Sequence, residues 1–398
     1  MLDSIPRAVR QVALPESDCK NLFLCSLTSK SILEVIPIDA LAALSEAEAS
    51  EKVEDVSAAE AGLTSQQGED VKISPPREKT QDEEWKLVYD LMRADKRGIF
   101  FLREHVSRFM ESLETVSPYP LPSYARDFIQ SCLQEYATVP NGGHNPNLSQ
   151  ENATFEEDQN LKVVMWLKPG ACSADCACPP GEKPDQLLFI IYFIKSFFPP
   201  PEWYVEGTQF ALLFNARRQN PRLKVMQPQL IHRVKQLRER SGAFEVMLVH
   251  DETNNFLVPE SSRSNYLLIS ESGKILCSEK DHILMGVTLI ATNRAAVRAG
   301  LSPIEHRNLT LKDVCSSYSL VMLGTSPGVL PVRELLLFYD AESKANFCAA
   351  AIFLGIEFER MKNFKTISSD PPRAVIEFAV QSNVIDRLMN AYEEEKFL

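Results

Sequence analysis

The chain has 398 residues, 44% hydrophobic and 24% charged, which is room for two medium domains of ordinary globular composition. Its net charge of −12 is uneven: residues 45–84 hold twelve Asp/Glu against four Lys/Arg, so the rest is near neutral and offers no basic surface to nucleic acid. The strongest apolar run, 187–194, is too short to cross a bilayer, the N-terminus lacks a signal peptide's apolar core, and nine scattered cysteines suit reduced thiols in a cytoplasmic protein.

Residues 1–84 read as an N-terminal extension. Its stretch 45–82 has no aromatic residue, cannot bury enough apolar surface to offset its ordering entropy, and is expected to be disordered, with a fluctuating helix possible over 38–59. A small domain over 85–198 follows: a strand at 87–93, a turn at 96–98, helices over 100–113 and 123–136, a polar loop at 141–160, and strands at 162–167 and 187–194. The run Phe197-Phe198-Pro199-Pro200-Pro201 is stiff, and 199–206 reads as an interdomain linker. A larger domain over 207–398 has strands at 207–215, 245–249, 256–258, 266–269, 320–323 and 334–339, with helices over 229–241 and 285–299. This is a mixed α/β pattern.

The chain has no Gly-x-Gly-x-x-Gly, Walker loop, Gly-x-Ser-x-Gly or His-Glu-x-x-His, which excludes the commonest nucleotide, hydrolase and zinc-protease sites. Cys172, Cys176 and Cys178 lack a nearby fourth ligand, so no metal is expected there.

What remains is a set of short segments in order. They are Phe100-Phe-Leu-Arg-Glu-His105-Val-Ser-Arg108, then Lys224 with Gly242 and Glu245 at 18 and 21 residues beyond it, then Glu260-Ser-Ser-Arg-Ser-Asn265. Ile283-Leu-Met-Gly286-Val287-Thr288 and Gly324-Thr325-Ser326-Pro-Gly-Val329-Leu-Pro331-Val332 complete the set. Together, from about residue 85 onward, they resemble the class IV aminotransferases, which include D-amino acid and branched-chain aminotransferases and aminodeoxychorismate lyase. The match is incomplete: Tyr89-Asp90 stands where the family has Phe-Glu, Leu289 where it often has arginine, and Ser317-Tyr-Ser319 where it has Ala-Asp-Glu.

The resemblance implies a two-domain fold of type IV, a small α/β domain and a larger pseudo-barrel α/β domain, acting as a homodimer on pyridoxal 5'-phosphate. Lys224 would carry the cofactor and move the substrate's Cα proton. Glu260 would face the pyridine nitrogen, and Arg108, Val287, Thr288 and Thr325 would hold the phosphate. Ser326 and Tyr89 would meet the substrate. The activity implied is amino transfer between a D- or branched-chain amino acid and a 2-oxo acid. The alternatives are a lyase that releases pyruvate and 4-aminobenzoate from aminodeoxychorismate, and a non-catalytic relative that kept only the fold.

Overall fold

The computed structural model describes residues 5–16, 21–43, 86–118, 120–138, 158–167, 187–252 and 255–396. The acidic stretch 45–82, most of the polar loop at 141–160 and the three-cysteine loop lie outside them. The chain divides into two compact units after Ser196.

In the first unit, β1 (Asn21–Ser26), β2 (Ser31–Pro37), β3 (Lys86–Asp95), β4 (Gly98–Ile99), β5 (Gln159–Leu167) and β6 (Leu188–Ile194) form one sheet. Its order is β2-β1-β6-β5-β3-β4, and every pairing is antiparallel. Helix α1 (Arg7–Glu16) precedes the strands, and α2 (Leu102–Val116) and α3 (Ala125–Thr138) lie between β4 and β5. The buried positions of α2, among them His105, Phe109 and Leu113, recur every three to four residues and make one stripe, as an amphipathic helix on a sheet requires. α3 packs on the same sheet: its Tyr136 ring meets Phe23 of β1 and Phe193 of β6.

The N-terminal segment is therefore part of this unit and not an appendage to it. Phe23 of β1 lies opposite Ile191 of β6, and the Tyr124 and Tyr136 hydroxyls donate to the Leu27 and Asn21 carbonyls. The nearly unbroken apolar run of β6 explains this, because a strand without a polar face or a free edge needs neighbours on both sides.

The second unit opens with a helix where a linker was expected, α4 (Pro201–Glu206). Proline's fixed φ suits the first helical position, where its missing N–H costs nothing. The sheet comprises β7 (Thr208–Phe214), β8 (Glu245–Val249), β9 (Asn265–Ile269), β10 (Ile275–Cys277), β11 (Glu305–His306), β12 (Ser319–Gly324), β13 (Gly328–Phe338), β14 (Phe364–Ser369) and β15 (Pro372–Glu377). Its main path is β11-β10-β9-β12-β13-β15-β14, and β7 joins β13 to β8. The eleven-residue β13 carries the junction, pairing with β12, β15 and, in parallel, β7.

Alternate residues of β7 and β8 feed two cores. Phe210, Leu212, Met247 and Val249 join a cluster with Tyr266, Leu335 and Phe347, while Ala211, Val246 and Leu248 pack with Val234 and Leu237 of α5 (Pro228–Ser241). The remaining helices are α6 (Val287–Arg298), α7 (Leu311–Cys315), α8 (Ala341–Leu354) and α9 (Asn383–Glu395). The strand expected at 256–258 makes only isolated bridges through Leu257. Among the described residues no helix is long and apolar enough to cross a membrane. The mixed α/β class stands.

Candidate active site

Lys224 lies in the loop between β7 and α5 and is only 9% exposed. A loop lysine is normally solvated, so its burial has to be built. Leu223 N–H donates to the Asn220 carbonyl. Gln227 clasps Gln219 in both directions, accepting from its N–H at 3.0 Å and donating to its carbonyl at 2.8 Å. Arg218, also buried, donates to the Leu223 carbonyl at 3.3 Å.

Glu260 lies between β8 and β9 and is 3% exposed. Its own carbonyl accepts from Leu248 N–H, which fixes its backbone to β8. One side-chain oxygen, Oε2, accepts the Leu284 N–H at 3.2 Å. The other, Oε1, is shut off from water and has no hydrogen bond, and the same is true of Arg218 Nε, 3.6 Å away. Burial pushes the carboxyl up to about 7, against the pull of Arg218, the Leu284 N–H and Lys224. The Lys224 ammonium is thus close enough to act on Glu260.

The segment ahead of α6 is held to the same place. Asn265 Nδ2 donates to the Leu284 carbonyl at 2.9 Å. A methyl group at Gly286 would sit 2.3 Å from Asn265 Oδ1, so this approach requires glycine. α6 then starts with Val287 and Thr288, with no side-chain cap and no acid in its first turn. An uncapped helix start presents N–H donors and a positive dipole end, a ready place for an anion.

Thr325 and Ser326 occupy the turn between β12 and β13. Leu323 lies opposite Asn265 across the β9–β12 pairing, so this turn begins where β9 does, beyond the end that carries Asn265. Tyr204 donates to the Pro327 carbonyl at 2.8 Å, and Gly328, at φ +68, packs under the Tyr392 ring.

Arg108 and Tyr89 belong to the first unit. Arg108 is paired in bidentate fashion with Asp90, through Nε at 2.8 Å and Nη2 at 2.6 Å. His105 Nδ1 stands 2.8 Å from the same carboxylate. Asp90 is fully buried; burial raises its pKa, but Arg108 and His105 outweigh this and hold it well below the usual carboxylate range. Tyr89 is half-buried, with Lys162 Nζ 5.2 Å from its ring centre.

The structure thus brings Lys224, Glu260 and the start of α6 together within the second unit and adds Arg218. Sequence reasoning missed Arg218 because a single arginine six residues before the lysine carries no period that tells burial from exposure. The grouping pairs a buried amine with a buried carboxyl, beside anion-binding N–H groups. It sets an amine able to act as a nucleophile beside a buried carboxyl and a place for an anion.

Residues 87–335, more than half of the chain, match the family described as amino-transferase class IV. No curated protein matches in sequence. Among solved structures, a putative 4-amino-4-deoxychorismate lyase from Legionella pneumophila is similar in fold (TM-score 0.52, 14% identity, 78% of this chain and 91% of that one). A branched-chain amino acid aminotransferase from T.th., solved with pyridoxamine 5'-phosphate, gives 0.48 at 20% identity over 63% and 76%. A putative one from Thermotoga maritima gives 0.46 at 22% over 69% and 88%. With the family matched over most of both units, the chain belongs to the class IV aminotransferases, enzymes that use pyridoxal phosphate.

Proposed function

We propose that the protein transfers an amino group between an amino acid and a 2-oxo acid, with Lys224 as its catalytic residue. The observation that carries this is the buried Lys224–Glu260 grouping with Glu260 Oε1 left unbonded, open to a partner that the bound cofactor would supply. When bound, pyridoxal phosphate supplies an aldehyde for the amine and a ring that withdraws electrons from the substrate's Cα.

Lys224 would hold the cofactor through its Nζ and would take the substrate's Cα proton there and return it. Glu260, its Oε2 fixed by the Leu284 N–H, would hold the proton of the ring nitrogen. The first N–H groups of α6, at Val287 and Thr288, would hold the phosphate, with Thr325 donating beside them. Arg108, which the resemblance also assigns to a phosphate, is held by Asp90 within the first unit. Ser326 would contact the substrate, and the active form would be a homodimer. Lyase chemistry on aminodeoxychorismate would use the same lysine, glutamate and phosphate donors. Chromatography of the products formed from D-alanine, branched-chain amino acids and aminodeoxychorismate separates the two activities.

The direct test is borohydride reduction of the cofactor-loaded protein followed by peptide mapping. The label is expected on Lys224 and absent from Lys224→Ala, which should keep the parental circular dichroism. A label on another lysine, such as Lys235, overturns the assignment.

A further inference from the structure

Arg218 and Glu260 face one another across 3.6 Å. Neither Arg218 Nε nor Glu260 Oε1 makes a hydrogen bond, and neither touches water. Leaving either charge unpaired in such a place costs far more than the pair does. The other end of the guanidinium holds the carbonyl of Leu223, one residue before Lys224. A single buried side chain therefore spans the loop that presents the amine and the carboxyl that faces it.

We propose that Arg218 is a positioning residue, which draws Glu260 toward its anionic form against its burial and couples that carboxyl to the Lys224 loop. The inference rests on the reading of Glu260 as the carboxylate that serves the cofactor's ring nitrogen. A neutral Glu260 would have no negative charge with which to hold a proton on that nitrogen. Burial drives it toward neutrality, and the charges opposing this are Arg218 and Lys224. Cys277, the other titratable group felt there, is pushed up to about 12 by burial and by Glu260 and stays a neutral thiol at working pH. Arg218 reaches both groups at once, the Leu223 carbonyl beside Lys224 and the carboxyl of Glu260.

The test is the pH dependence of thermal unfolding in the full chain without cofactor, where ionisation of Glu260 appears as a loss of stability on raising the pH. In Arg218→Gln the upper edge of that window should move up by about one pH unit, since removing one close opposite charge raises a carboxyl by about that much or more. Arg218→Lys should restore the parental edge. An edge in Arg218→Gln that coincides with the parent's overturns the proposal. Should Arg218→Gln not fold, the double variant Arg218→Gln/Glu260→Gln should, because the orphaned carboxylate is gone; a double variant that also fails to fold overturns it. The absorption of bound cofactor against pH tests the underlying reading separately. If Glu260→Gln leaves that profile unchanged, Glu260 does not serve the ring, whatever Arg218 does to its titration.

Discussion

Glu260 has an environment that nearly neutralises it, so its titration should be visible in stability. Below about 4.5, its ordinary value, the carboxyl is protonated in folded and unfolded chains alike. Between there and about 7 the unfolded chain ionises it and the folded chain does not. Raising the pH through this window therefore costs the cofactor-free protein stability, on the order of 3 kcal/mol in all, and Glu260→Gln should flatten the melting profile there. The same variant, loaded with cofactor, should bind it yet turn over about a hundredfold more slowly; parental turnover would remove the ring-nitrogen role. Asp90 has the opposite sign. Its depressed carboxyl contributes stability above its unfolded value of about 3.8, lost as pH falls below it. Asp90→Asn strands Arg108 and should destabilise by about 3 to 5 kcal/mol, measurable by urea unfolding.

At the level of elements, two close approaches hold the pieces of the site. Gly286→Ala forces Asn265 away from Leu284, so it should weaken cofactor binding in a fluorescence titration and cost the cofactor-free chain about 1 to 3 kcal/mol through the buried hydrogen bond it breaks. Gly328→Ala works through the β12–β13 turn. Its φ is +68 and the added methyl would lie 2.8 Å from the Tyr392 ring, so α9 must shift; a loss of about 1 to 3 kcal/mol is expected. The elements themselves were largely legible. The strand at 245–249 matches β8 end for end, and the helices over 229–241 and 285–299 differ from α5 and α6 by a residue or two, because alternation and the Gly242 stop are local signals. α8 was not legible. Its Ile352 and Phe353 are exposed beside buried Phe347 and Ala350, so its apolar residues follow no single stripe. The pieces of the site could be placed in chain order by their motifs, but which side chains are buried together depends on tertiary packing, and Arg218 is the example.

For the whole molecule, the acidic segment and the N-terminal hairpin should behave oppositely. Deleting residues 45–80 should leave turnover and cofactor affinity unchanged, since that stretch has no aromatic residue to bury. Deleting residues 1–43 strips β1 from β6 and should yield aggregated protein by light scattering, because it bares a long apolar edge. The pairing of Phe23 with Ile191 also sets an order of events during synthesis. The chain's opening strand leaves the ribosome long before its neighbour exists and must wait, exposed to chaperones, until β6 has emerged. Closing so large a loop is not itself prohibitive, because each doubling of length adds only about 0.6 kcal/mol. The cost is time, and lengthening the acidic stretch between β2 and β3 would extend the wait while leaving the finished sheet as stable as before.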